Sequence, residues 1–216
     1  LLQRGAAQLG LPLDDTAVQK FERYRHLLAL WGQKINLTAV HDPQQVVIRH
    51  FLDSLALVRR LPAVAALPAP TLVDVGSGAG LPGAVCALLR PELRVTLVER
   101  VSKKAAFLLT LRRELGLQYE VYADDATRLP EQFGIVVSRA ALPLARWLPL
   151  GRKLARPDGV VLAMTSLSEP LPPLPAGLDL QTDETYDVGA GPHRLLVCAV
   201  ASASQVIEQT GPLAPA

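Results

Sequence analysis

From Asp14 the apolar residues Ala17, Phe21, Tyr24, Leu28 and Trp31 recur at intervals of three and four, the period of a helix that buries one face. Asp14 or Asp15 stands where an N-cap carboxylate belongs, and Gly32 with Asn36-Leu37-Thr38 interrupts the pattern. A second helix is expected from Asp42-Pro43, a cap followed by a first-turn proline, and helical periodicity runs on to Arg60. Residues 1–62 therefore read as a helical subdomain with Phe21 and Trp31 in its core. Leu61 to Pro70, with three prolines, reads as a linker.

Beyond the linker the pattern changes. Short apolar runs at 71–75, 94–98, 118–123, 134–138 and 159–164 alternate with helical stretches at 82–90, 102–115 and 143–154, the signature of a parallel sheet covered on both faces. Ser102 is the expected cap of the second of these helices. Ser166 to Gly177 carries four prolines and reads as irregular. Two last strands near 180–186 and 193–200, joined by Val188-Gly189-Ala190-Gly191-Pro192, suit an antiparallel hairpin that closes the sheet. The fold class is thus α/β, a mostly parallel Rossmann-like sheet over 63–202 with a C-terminal antiparallel hairpin, and the tail 203–216 is expected to fray.

Composition adds limits. No run among the 216 residues is long and apolar enough to span a bilayer, and no export signal opens the chain, so a cytoplasmic protein with no membrane partner is expected. Cys86 and Cys198 sit among apolar neighbours and read as buried free thiols. His26, His41, His50 and His193 are too dispersed for a metal motif, so no metal is expected, and nothing demands more than a monomer. The net charge of +2 hides an asymmetry: from Pro157 on, Arg194 stands against seven carboxylates, leaving +8 on the first 156 residues. That polarity is compatible with a phosphate-backbone partner but weaker than in dedicated nucleic-acid binders.

The chemistry centres on Asp74-Val75-Gly76-Ser77-Gly78-Ala79-Gly80-Leu81-Pro82-Gly83, directly after the apolar run Thr71-Leu72-Val73. Glycines let a backbone turn tightly and approach a ligand closely. Counting from Gly76, the dinucleotide fingerprint G-x-G-x-x-G fails at Leu81. The pattern acidic-x-G-x-G-x-G fits, and it resembles the first motif of the class I methyltransferases, which implies S-adenosylmethionine as cofactor. Glu99, at the end of Val95-Thr96-Leu97-Val98, is placed to take the ribose hydroxyls. The ordinary alternatives are a strand-to-helix turn and a solvated strand-end charge.

Absent motifs narrow the acceptor. The Asn/Asp-Pro-Pro-aromatic signature for exocyclic amines is replaced by Val137-Ser138-Arg139-Ala140, neither cysteine suits attack on a pyrimidine, and no base for a hydroxyl stands out. Guanine N7 needs none of these: its lone pair is free, and a donor to the neighbouring O6 suffices to align it. Arg139, at the end of the fourth strand, can be that donor, or else an ordinary ion-pairing arginine.

Over nearly its whole length the chain resembles the RsmG (GidB) family of 16S rRNA guanine-N7 methyltransferases. The resemblance rests on Leu27-Leu28, Trp31, Asn36-Leu37-Thr38-Ala39-Val40, His50-Phe51-Leu52-Asp53-Ser54-Leu55, Asp74 to Gly83, Glu99 with Lys103-Lys104 and Phe107-Leu108, and Ser138-Arg139-Ala140. It implies methylation of N7 of one guanine in the 530 loop, with 16S rRNA or a small-subunit precursor as partner. By motif position Asp74, Gly76, Gly78, Gly80, Leu81, Glu99, Ala126, Thr127 and Arg139 would contact S-adenosylmethionine, and Ser138 and Arg139 would be catalytic. Asn36, Arg49, His50, Asp53, Lys103 and Lys104 are candidates for the RNA side. His50 and Asp53, three apart on one helical face, are expected to hydrogen-bond each other and tie the helices to the sheet, or else to approach the substrate.

Three positions depart from the family pattern. Asp125-Ala126-Thr127 replaces Arg-x-Glu after the third strand, Gly134 replaces an Asp, and Thr165-Ser166 replaces Lys-Gly after the fifth. Two other readings therefore stand beside the first: the same fold and cofactor with a different acceptor, or a non-catalytic RNA-binding relative.

Overall fold

The computed structural model describes residues 1–61 and 70–200. The expected tail 203–216 and nearly all of the proline linker lie outside the described residues.

Four α-helices come first: α1 (Leu2–Gln8), α2 (Asp15–Gly32), α3 (Pro43–Val46) and α4 (Asp53–Arg60), the last two joined through a π-helical segment, Val47–Leu52. Asp14 caps α2 by accepting from the Ala17 amide, and Asp42 caps α3 by accepting from Gln45 with Pro43 in the first turn. Helix α1 carries no long periodic stripe. It is held by burying Leu2 and Ala6, and Gly5 allows close approach, since a Cβ there would meet Leu52 Cδ1 at 2.5 Å.

Seven strands follow: β1 (Thr71–Val75), β2 (Arg94–Val98), β3 (Glu120–Tyr122), β4 (Phe133–Arg139), β5 (Ala155–Ser166), β6 (Leu178–Asp187) and β7 (Pro192–Val200). Their order is β3-β2-β1-β4-β5-β7-β6. The first five are parallel, and β7 inserts antiparallel between β5 and β6, giving the expected terminal hairpin. Helices α5 (Gly83–Leu89), α6 (Ser102–Leu115) and α7 (Leu144–Leu154) form the crossovers. The structural differences from expectation are local. β3 keeps only three paired residues, Glu120, Val121 and Tyr122, opposite Thr96, Leu97 and Val98 of β2. β5 starts at Ala155, four residues early, where the ladder to β4 slips between Phe133 and Ile135 and admits Pro157 and Gly159. Ser102 is the first residue within α6 and makes no side-chain cap bond; Val101 occupies the cap position.

The sheet separates two apolar layers. One face packs against α1, α2, α4, α5 and α6 through a cluster that includes Phe21, Tyr24, Phe51, Leu72, Leu97 and Phe107. Phe21 is fully buried, whereas Trp31 is half-buried and sets its ring edge-on to Phe107 at 5.6 Å. The other face is covered by α7, whose Trp147 is buried and donates its indole N–H to the Leu162 carbonyl. Cys86 and Cys198 are buried free thiols, and burial pushes both upward in pKa. No helix of the described residues is long and apolar enough to cross a membrane.

Candidate active site

The strand order reverses at β1, which has β2 on one side and β4 on the other, and crevices at such reversals open at the carboxyl ends of parallel strands. Three chain segments leave the sheet there. After Val75 the backbone enters the glycine turn, with φ of +75° at Gly76, +53° at Gly78 and +86° at Gly80. These are left-handed conformations that side chains disfavour by roughly 1–2 kcal/mol. Space is limiting as well: a Cβ on Gly76 would sit 2.4 Å from Ala141 Cβ, and one on Gly80 2.7 Å from the Tyr24 hydroxyl. The turn is fixed by Gly76 and Ser77 amides donating to the Val98 carbonyl and by Tyr24 donating to Ala79 O at 2.6 Å.

After Val98 comes Glu99, buried, its carboxylate accepting from Gly78 N at 3.0 Å and from Val101 N at 2.8 Å. One side chain thus joins the glycine turn to the start of α6. After β4 the chain turns through Ala140, which adopts φ +49° and donates to Met164 O. A left-handed non-glycine beside a cleft is the sort of strain that functional sites hold.

Between these segments lies a cleft of about 640 Å³, lined by Val75, Gly76, Gly78, Glu99, Asp125, Ala126, Thr127, Arg139 and neighbours. Six of the nine residues expected at the cofactor line it: Gly76, Gly78, Glu99, Ala126, Thr127 and Arg139. Asp74, near the end of β1, and Gly80 and Leu81 of the turn are buried and do not line it. Asp74 is fully buried and accepts from Gly83 N at 2.9 Å through Oδ2, its Oδ1 has no partner among the described residues, and burial pushes its carboxyl up to about 6. Its position secures the entry of α5. Asp125 accepts from the amide and hydroxyl of Thr127, shaping the short 3₁₀ turn Ala126–Arg128 at the cleft wall.

Ser138 is buried off the cleft and donates to Val75 O, bridging β4 to β1. The next residue, Arg139, reaches the cleft. Its Nη1 donates to Asp53 Oδ2 at 3.0 Å and to Arg49 O at 3.2 Å, while Nε and Nη2 have no partner among the described residues. Asp53 is buried, and its Oδ1 accepts from the Tyr186 hydroxyl at 2.6 Å. His193 Nδ1 lies 3.3 Å from the same oxygen, within ion-pairing range but without hydrogen-bond geometry. Burial would raise the Asp53 carboxyl, but His193, Arg139 and Tyr186 together hold it below the usual range. His193 is raised in turn by that carboxylate.

The expected His50–Asp53 hydrogen bond is not made. His50 engages Thr38 Oγ1 at 2.7 Å through Nε2 and Arg49 O through Nδ1, and burial drives its pKa down to about 4. Asp53 does tie the helices to the sheet, through Arg139, Tyr186 and His193 instead. The Arg49 side chain turns to Gln45, so its carbonyl is what supports Arg139. Asn36, Lys103 and Lys104 come together with Lys34 along a groove of about 380 Å³, and Lys104 also lines the cleft. At the departures, Thr165 Oγ1 donates to Glu169, whose other oxygen receives the first amide of α7, and Gly134 leaves room for the Arg156 guanidinium.

Arg100, Asp124, Ala141 and Arg146 also line the cleft, though no motif in the sequence marks them. Arg100 and Ala141 adjoin predicted residues, a usable signal; Arg146, one turn into α7, had none.

A family model described as GidB, rRNA small subunit methyltransferase G, matches residues 17–169. The chain belongs to the GidB family. It is 44% identical over 168 residues to ribosomal RNA small subunit methyltransferase G of Anaeromyxobacter dehalogenans strain 2CP-C, covering 76% of each chain. It is 37% identical over 209 residues to the protein of that name from Halorhodospira halophila, covering 95% of this chain and 97% of the relative. Among solved structures, the magnesium protoporphyrin IX methyltransferase of Synechocystis with bound SAM superposes with a TM-score of 0.59 over 87% of this chain and 98% of its own, at 15% identity. TrmN of Thermus thermophilus gives 0.55 over 71% and 53%, at 20% identity. Such distant likenesses establish the fold of this GidB-family chain, a methyltransferase sheet.

Proposed function

We propose that this chain transfers a methyl group from S-adenosylmethionine to N7 of a guanine in the 530 loop of 16S ribosomal RNA. The observation that carries the reading is that Arg139, whose Nε and Nη2 have no partner among the described residues, lines the same cleft as the glycine turn and Glu99 in a chain of the GidB family. The cleft suits the cofactor. Backbone approaches it at Gly76 and Gly78 with no side chain intervening, Glu99 offers a carboxylate for a diol, and Ala126 and Thr127 form an opposite wall.

When bound, S-adenosylmethionine supplies an electrophilic methyl on a sulfonium. Guanine N7 would take that methyl with its own lone pair while the methyl–sulfur electron pair returns to sulfur and leaves a neutral thioether, so the step needs no residue to remove a proton. Arg139 donates to O6, positioning the ring, and Asp53 keeps the guanidinium from swinging away. The groove of Lys34, Asn36, Lys103 and Lys104 continues from the cleft through Lys104 and carries the RNA backbone, with the target base splayed from its loop. We place the protein in the cytoplasm, acting as a monomer. Residues 1–62 serve as its helical unit and 63–202 as its cofactor-binding core.

Titration calorimetry with S-adenosylmethionine and mapping of N7-methylguanine in 16S rRNA with and without the gene test the reading. Micromolar binding and loss of one 530-loop methyl on deletion are expected. A folded protein that binds no cofactor would make the chain a non-catalytic relative, and cofactor binding with an unchanged loop guanine would assign another acceptor.

A further inference from the structure

Asp53 receives three groups from three parts of the chain. Arg139 comes from the end of β4, Tyr186 from β6 and His193 from β7. The two latter residues lie beyond residue 169, where the family match ends, on the antiparallel hairpin appended to the parallel sheet. They face each other across the hairpin register, Tyr186 opposite His193, with ring centroids 5.8 Å apart. The carboxylate they grip is buried and divides its oxygens. Oδ1 takes the hairpin groups and Oδ2 takes Arg139 Nη1.

A carboxylate with one oxygen fixed by a 2.6 Å hydrogen bond has little rotational freedom, so the other oxygen becomes a fixed anchor. A planar guanidinium held through one nitrogen presents its remaining donors in a set direction. Only 19% of the Arg139 side chain is exposed, and that part faces the cleft.

We propose that Tyr186 and His193 are positioning residues for Arg139, acting through Asp53, so that the C-terminal hairpin orients the donor that holds the acceptor base. This rests on the assignment of Arg139 above. No described residue of the hairpin lines the cleft, which separates its effect from cofactor binding.

The test is a double-mutant cycle. Tyr186→Phe and His193→Asn are each made in the wild-type and Arg139→Lys backgrounds. Methyl transfer to small ribosomal subunits lacking the modification is measured at saturating cofactor and subunit, with cofactor affinity and thermal unfolding measured alongside. In the wild-type background each variant should lower the maximal rate about tenfold while cofactor Kd stays within twofold. In the Arg139→Lys background, where the oriented fork is already gone, each should change the rate less than twofold. A merely structural role would give the same loss in both backgrounds, and that result, or wild-type turnover by both variants, overturns the proposal. Should Tyr186→Phe fail to fold, the third-exposed His193 carries the test alone. A failure of the underlying assignment is distinguishable, because Arg139→Lys would then itself turn over at the wild-type rate.

Discussion

Gly76→Ala isolates the contact that closes the glycine turn against the loop after β4. The new methyl would lie 2.4 Å from Ala141 Cβ. Carbon atoms in contact settle at about 3.5–4.0 Å, so one of the two loops must retreat by roughly 1 Å. Two costs combine. Holding alanine at φ +75° costs roughly 1–2 kcal/mol, and relieving the overlap adds the roughly 1–3 kcal/mol typical of overpacking. The stiffer unfolded chain returns about 0.4–1 kcal/mol. A net loss of about 1–5 kcal/mol is expected by urea unfolding. Ala141 is exposed, so Ala141→Gly alone should change stability little, yet combined with Gly76→Ala it should recover the overlap and leave the backbone cost of about 1–2 kcal/mol. Both loops line the cleft, so cofactor affinity measured by calorimetry should fall more than tenfold in the single variant and partly return in the double one. Equal losses with and without Ala141→Gly would refute the steric reasoning, and a Gly76→Ala protein as stable as wild type would refute the strain reasoning too.

Tyr24→Phe should cost about 1–3 kcal/mol of stability, because the buried Ala79 carbonyl loses its donor, and should weaken cofactor binding severalfold; unchanged calorimetry would show that α2 does not hold the turn. Arg139→Ala should reduce methyl transfer at least a hundredfold and also destabilise the fold by about 1–3 kcal/mol, since buried Asp53 loses one of its donors; activity within threefold of wild type would sink the assignment. The pH dependence of stability has two opposing arms. His50 falls from 6.5 to about 4, so the unfolded chain takes its proton first and stability drains as pH falls from about 6.5 to 4. Asp74 rises from 3.8 to about 6, so the folded chain takes that proton first and stability drains as pH rises from about 4 to 6. Each arm is worth about 3 kcal/mol. Asp74→Asn should therefore expose the His50 arm as a steep loss on acidification, and a profile parallel to wild type would contradict it.

Which parts of this arrangement could be read from sequence follows from how local the causes are. Helix α2, the five parallel strands and the glycine turn announce themselves because period, cap and φ preference act within a few residues. Asp14 caps α2 and Asp42 caps α3 for reasons contained in four or five positions. The Ser102 expectation missed by one residue: Val101 takes the cap position with extended backbone, its carbonyl accepts from the Lys104 and Ala105 amides, and Ser102 is already inside α6. Helix α1 escaped notice because its stability comes from Leu2 and Ala6 finding a core made mostly by other segments, and from Gly5 approaching Leu52.

The same distinction divides the site. Gly76, Gly78 and Glu99, which share the cleft, were legible because the spacing of the glycines and of the acid one strand later is contained in two short segments. The partner of Asp53 was not. Spacing of three on a helix brings His50 and Asp53 onto one face, and local reasoning therefore pairs them. In the folded chain both imidazole nitrogens of His50 are taken by Thr38 and the Arg49 carbonyl, and Asp53 is free to be claimed by residues 86 and 133 positions away. A buried carboxylate needs donors whose placement only the closed sheet supplies, so the hairpin's antiparallel return, itself predictable from Gly189 to Pro192, has a consequence that no local pattern contains. It brings a tyrosine and a histidine to the Asp53 carboxylate that pairs with Arg139, the arginine we propose for the acceptor. If Arg139 holds the acceptor as proposed, that side of the cleft is assembled from the helical unit, β4 and the hairpin, whereas the proposed cofactor side is written in two short motifs, and substitutions remote in sequence should act on the first while leaving the second intact.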